Sequence, residues 1–122
     1  MYIVNDILSA VIVAAKGLYP ELDAQIQWDP TLSGDDLKAK IGRVGTWKKP
    51  EYGYTFFPDD SSTPTIGISP HIKVTTAAEV LAHELAHVAA GLEAGHGRVW
   101  SDAFNAIQLR ANEIMARIGE GE

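Results

Sequence analysis

The segment His83-Glu84-Leu85-Ala86-His87 constrains this chain more than any other. On a helix, residues four apart share a face, so His83 and His87 aim two imidazoles at one point, with Glu84 beside them. Two imidazoles and a carboxylate at this spacing suit a zinc ion and a general base. Such a helix needs a core behind it. Val80, Leu81, Leu85, Val88 and Leu92 supply an apolar stripe, and the residues around the motif are small or apolar.

Catalytic zinc usually takes three protein ligands and a water. Of the four histidines, three fall between positions 83 and 96. His96 follows Gly91 and Gly95, where the helix is expected to stop, so the chain can turn back and present it. Glu93 competes, but a helix continued that far would carry it off the ligand face. Glu113 is a more distant choice, and Asp102 can serve as a partner that orients an imidazole. His71, in a loop after Ser69-Pro70, is left out. The expected cofactor is one zinc per chain on His83, His87 and His96, with water acidified toward a pKa of about 7. Glu84 then takes the water's proton and returns it to a leaving amine. Tyr52, Tyr54 and Arg98 are candidate oxyanion donors, with sheet and surface roles as the plainer reading.

The rest of the chain reads as support. Asn5 or Asp6 caps a first helix whose stripe is Ile3, Ile7, Val11 and Ala14; Gly17 is expected to end it and the helix to cover one side of a sheet. Leu22, Ala24, Ile26 and Trp28 alternate with polar residues, as in a strand with one buried face. Residues 31–40 are polar and turn-like. Strands are expected over Ile41–Trp47, Tyr52–Phe57 and Thr65–Ser69. The period then changes to helical. Thr76-Ala77-Ala78-Glu79 reads as a capping box opening the His83 helix. A last helix from about Gly97 carries Trp100, Phe104, Ile107, Ala111, Ile114 and Ile118 on one stripe. The expected class is α+β in a single domain, residues 1–122: an N-terminal helix, three or four mostly antiparallel strands, the metal helix and a C-terminal helix. If Thr65–Ser69 lies at the sheet edge, an extended peptide can pair along Ile66, Gly67 and Ile68.

Composition narrows the function classes. The chain has no cysteine, which excludes disulfides, a catalytic thiol and a cysteine-ligated zinc ribbon. The net charge of −6 lacks the basic footprint of a nucleic-acid binder. One span, Leu37 to Pro50, holds Lys38, Lys40, Arg43, Lys48 and Lys49 without an acid. A solvated hairpin face is the favoured reading of it, and a nucleic-acid contact the weaker one. The apolar run from Ile7 to Ala15 is too short to cross a membrane and lacks a basic leader, so a soluble, cytoplasmic protein is expected.

His83-Glu84-Leu85-Ala86-His87 together with His96-Gly97-Arg98-Val99-Trp100 resembles the SprT-like zinc metallopeptidases, which show an H-E-x-x-H helix, a variable spacer and H-G-x-x-W. Ile66 to Pro70 looks like that family's strand before the active-site helix, and Gly42 to Gly45 is loosely similar to its first hairpin. The resemblance is specific from about Thr65 to Phe104. It implies a minimal zincin-like fold, zinc on His83, His87 and His96, Glu84 as catalytic base, and a protein or peptide substrate. In the Spartan branch the substrates are proteins crosslinked to DNA. The missing cysteines and acidic charge depart from members with a zinc ribbon or DNA-binding segment. The metzincin pattern fails, because Ala90 and Glu93 stand where glycine and histidine belong. Two alternatives stand beside the endopeptidase: a non-catalytic zinc-binding interaction module, and a zinc amidase acting on a non-peptide substrate.

Overall fold

Asp6 opens the first helix, α1 (Ile7–Leu18), by accepting the Ser9 N–H at 2.8 Å. The computed structural model describes residues 6–30, 42–46, 52–60, 62–91 and 96–120, with backbone alone for 42–46 and 118–120. Gly17 does not end α1. The helix runs on to Leu18, and Tyr19 caps it at φ −130°, its N–H bonded to Ala15 O at 2.8 Å. Pro20 is the reason, since the residue before a proline is driven out of helical space.

Four strands follow: β1 (Gln25–Trp28), β2 (Gly42–Thr46), β3 (Gly53–Pro58) and β4 (Thr65–Ile68). They form one mixed sheet in the order β1-β4-β3-β2. β1 runs parallel to β4, with Gln25 opposite Thr65. The other two pairings are antiparallel: Tyr54 of β3 faces Gly67 of β4, and Gly45 of β2 faces Thr55 of β3. β4 is therefore interior. Its main chain is bonded on both sides, which removes the expected peptide-pairing edge along Ile66, Gly67 and Ile68.

Helix α2 (Val74–Ala90) lies on the sheet, against β2, β3 and β4. Helix α3 (Arg98–Glu120) and α1 pair with each other and pack on α2. The first helix thus backs α2, where covering a sheet face was expected of it. Burial follows this layering. Val11, Ala14, Ile66, Ile68, Val80, Leu81, Leu85 and Ile107 are buried between the layers. The alternation in β1 places a strand, but its apolar side is not covered: Ile26 is 39% and Trp28 54% exposed. β1 sits at the sheet edge farthest from β3, beside a groove lined by Leu8, Ile12 and Leu81.

The start of α2 also departs from expectation. The cap is Lys73, without a side-chain hydrogen bond, and its carbonyl accepts the Ala77 N–H at 2.8 Å. Thr76 is already inside the first turn, so its helical backbone cannot serve as the extended cap of a capping box. The other end is as expected: Gly91 stands at φ +90° and gives its N–H to His87 O at 2.9 Å. No described helix is long and apolar enough to cross a membrane. The turn at residues 31–40, Ile3, Glu93, Gly95 and the lysines at 38, 40, 48 and 49 lie outside the described residues.

Candidate metal centre

His83 and His87 face outward from one side of α2 toward α3, as their spacing of four demands. His96 comes to meet them just before α3 begins. The three Nε2 atoms form a triangle of 3.1 Å (His83–His87), 3.1 Å (His87–His96) and 3.3 Å (His83–His96). A zinc ion with Zn–N bonds of about 2.0–2.1 Å would hold its tetrahedral ligands about 3.3–3.4 Å apart. The rings are inclined at 51–72° to one another, as imidazoles radiating from a common point must be.

Proton counting makes the case for a cation. Each Nε2 is either an N–H donor or a lone-pair acceptor, never both. Among three mutually adjacent nitrogens, at least two are alike and repel. A cation removes that conflict by taking all three lone pairs. The protonation state of His87 agrees. Burial, followed by the His96 charge, pushes His87 down to about 4, so it is neutral at pH 7 and able to ligate. His83, Glu84 and His87 are buried, whereas His96 lies at the surface and leaves one side of the site accessible.

Trp100 locks the two helices around the triangle. Its indole N–H donates to the His83 carbonyl at 3.2 Å. Its ring packs on His87 at 5.5 Å and stacks on Phe104 at 5.2 Å and 14°. The imidazoles are therefore held by an aromatic wall from α3 as well as by their own helix.

Glu84 points to the sheet. It is fully buried, and its Oε1 accepts the Thr55 hydroxyl of β3 at 2.8 Å. Oε2 has no hydrogen-bond partner among the described residues. Burial pushes this carboxyl up to about 8, against a weaker downward pull from Thr55. The close approach of α2 to β3 depends on Gly53: a Cβ there would stand 2.6 Å from Val80 Cγ1 and 3.0 Å from Gly67 O.

The other candidates are not brought to the histidines. Successive strand residues point to opposite faces, so with Gly53 and Thr55 facing α2, Tyr54 and Phe56 face away from it. Tyr54 donates its hydroxyl to Asp29 at 2.8 Å, and its ring lies over Gly67, where a Cβ would come within 2.3 Å of it. It stabilises the far side of the sheet and cannot reach an oxyanion at the triangle. Ile66 and Ile68 are core residues. Arg98 and Asp102 stand at the surface, paired with each other at 3.9 Å, so neither positions an imidazole. Glu113 pairs with Arg110 at 3.1 Å. The Tyr52 carbonyl accepts the Ser69 N–H at 2.9 Å, and the His71 N–H donates to Ser69 Oγ at 3.2 Å. Thr55 and Gly53 are the site residues that sequence reasoning passed over. The available signal was Thr55 itself, the one hydroxyl of small size in an aromatic run.

No family model, no characterised protein and no solved structure matches this chain.

Proposed function

We propose that this protein is a zinc-dependent endopeptidase of the SprT-like kind that its sequence resembles. The observation that carries the reading is the Nε2 triangle of His83, His87 and His96, with edges of 3.1 to 3.3 Å. When bound, zinc supplies a Lewis acid for the scissile carbonyl and an acidified water. Glu84 is the base: it accepts the attacking water's proton and hands it to the leaving amine nitrogen. Its burial supports that role, because a carboxyl lifted to about 8 sits close to a working pH of 7, and a neighbouring cation favours its charged form. With β4 interior, β2 is the outer strand among the described residues, so an extended substrate would add along β2.

The test is metal analysis with a cleavage assay on unfolded casein and on a DNA-bound protein. Wild-type protein should hold about one zinc per chain. Glu84→Gln should keep the zinc and lose turnover, and His96→Ala should lose most of the zinc. Equal cleavage by wild type and Glu84→Gln would overturn the peptidase reading, and full zinc retention by His96→Ala would overturn the ligand set. A second reading has its own observation. Glu84 is fully buried and pinned to β3, which also suits a metal-holding interaction module without turnover. In that case wild type and Glu84→Gln both bind zinc and neither cleaves.

A further inference from the structure

Glu84 carries two oxygens in unlike surroundings. Oε1 accepts the Thr55 hydroxyl at 2.8 Å, whereas Oε2 is buried with no hydrogen-bond partner among the described residues. Thr55 is itself enclosed by the fold. It is fully buried, and it lies on an interior strand, opposite Ile66 on one side and Gly45 on the other. Its β-branched side chain has few rotamers available. A carboxylate otherwise turns freely about its last torsion. With one oxygen held, the direction of the other is set.

We propose that Thr55 is the positioning residue for the base: by holding Glu84 Oε1, it leaves Oε2 as the oxygen that carries the transferred proton. The proposal rests on the peptidase reading. In the hydration step a water O–H bond breaks, its proton goes to Oε2, and the water oxygen bonds to the peptide carbonyl carbon. In the second step the C–N bond breaks as Oε2 returns the proton to the amine nitrogen. Thr55 keeps its own proton throughout. A second acceptor, the Glu84 carbonyl oxygen at 3.4 Å, lies within reach of the same hydroxyl, so Thr55 can stay bonded when Glu84 is protonated.

Three zinc-loaded full-length proteins test this: wild type, Thr55→Val and Thr55→Ser. Casein cleavage is read as kcat and KM separately, alongside zinc content. Thr55→Val should lower kcat on the order of 10- to 100-fold, with KM and zinc unchanged, as when a hydrogen-bond partner of a site residue is removed. Thr55→Ser, which keeps the hydroxyl, should recover most of the loss. A second readout needs no substrate. In protein carrying 13C at glutamate carboxyls, the Glu84 signal, identified by its disappearance in Glu84→Gln, should move in Thr55→Val and stay in Thr55→Ser. If wild type cleaves and Glu84→Gln does not, yet Thr55→Val keeps the wild-type kcat, the Thr55 proposal falls and the peptidase reading stands. If wild type cleaves nothing, the peptidase reading falls and takes the Oε2 assignment with it. An unmoved Glu84 signal in Thr55→Val overturns the proposal in either case.

Discussion

At the residue scale, Glu84 and His87 make the metal-free protein sensitive to pH in opposite directions. The folded state holds Glu84's proton up to about 8, while the unfolded chain releases it near its ordinary value of 4.5. That contribution is fully present below about 4.5 and is lost as pH rises through 8. His87 has the reverse sign. Its folded form is neutral down to about 4 against an ordinary 6.5, so its contribution is present above 6.5 and is lost as pH falls toward 4. The two oppose each other between 4.5 and 6.5. Above 6.5 only Glu84 acts, and unfolding free energy should fall by about 1.4 kcal/mol per pH unit, one proton's worth, up to about pH 8. Urea titrations of chelator-treated protein across that range measure the slope. Glu84→Gln should flatten it and be the more stable protein at pH 8, because a neutral amide replaces a buried charge.

At the element scale, the placement of α2 depends on contacts with β3 on one side and α3 on the other. Gly53→Ala puts a methyl 2.6 Å from Val80 Cγ1 and 3.0 Å from the Gly67 carbonyl, so helix and strand must separate. The expected cost is about 1–3 kcal/mol by chemical denaturation, as for overpacking elsewhere. On the α3 side, Trp100→Phe keeps an aromatic ring but loses the indole N–H bonded to the His83 carbonyl. That should cost about 1 kcal/mol of stability and weaken zinc retention, read by chelator competition. These contacts also mark where sequence legibility stops. The helices, strands and three imidazoles were readable because each follows from a local period or spacing. Strand order was not, since nothing within Thr65–Ile68 tells whether β1 will dock beside it. The same holds for β1, whose alternation is real but whose Ile26 and Trp28 stay exposed beside a groove that α1 lines with Leu8 and Ile12. Thr76 looked like a cap because the pattern Thr-Ala-Ala-Glu is a local match. The helix instead begins at Val74, in a chain already placed by β4 and the turn after it. Thr55 could be found only through the strand register that sets it opposite Glu84.

At the scale of the whole molecule, an ion on the triangle would link binding to folding. An ion that binds the folded triangle and not the unfolded chain adds about 4 kcal/mol at a thousandfold excess over Kd, and raises Tm on the order of 15 °C. Scanning calorimetry with zinc and with a chelator measures this difference, and His96→Ala should abolish it. The triangle has a mechanical side as well. His83 and His87 belong to α2, whereas His96 sits nine residues beyond His87, at the threshold of α3. An ion seated there is a cross-link between two helices in a chain that has no cysteine to make one. Among the described residues, Trp100 and core packing join α2 to α3 without the ion, so chelated protein should be cut by added trypsin faster than zinc-loaded protein. Chelation would remove that link between the two helices.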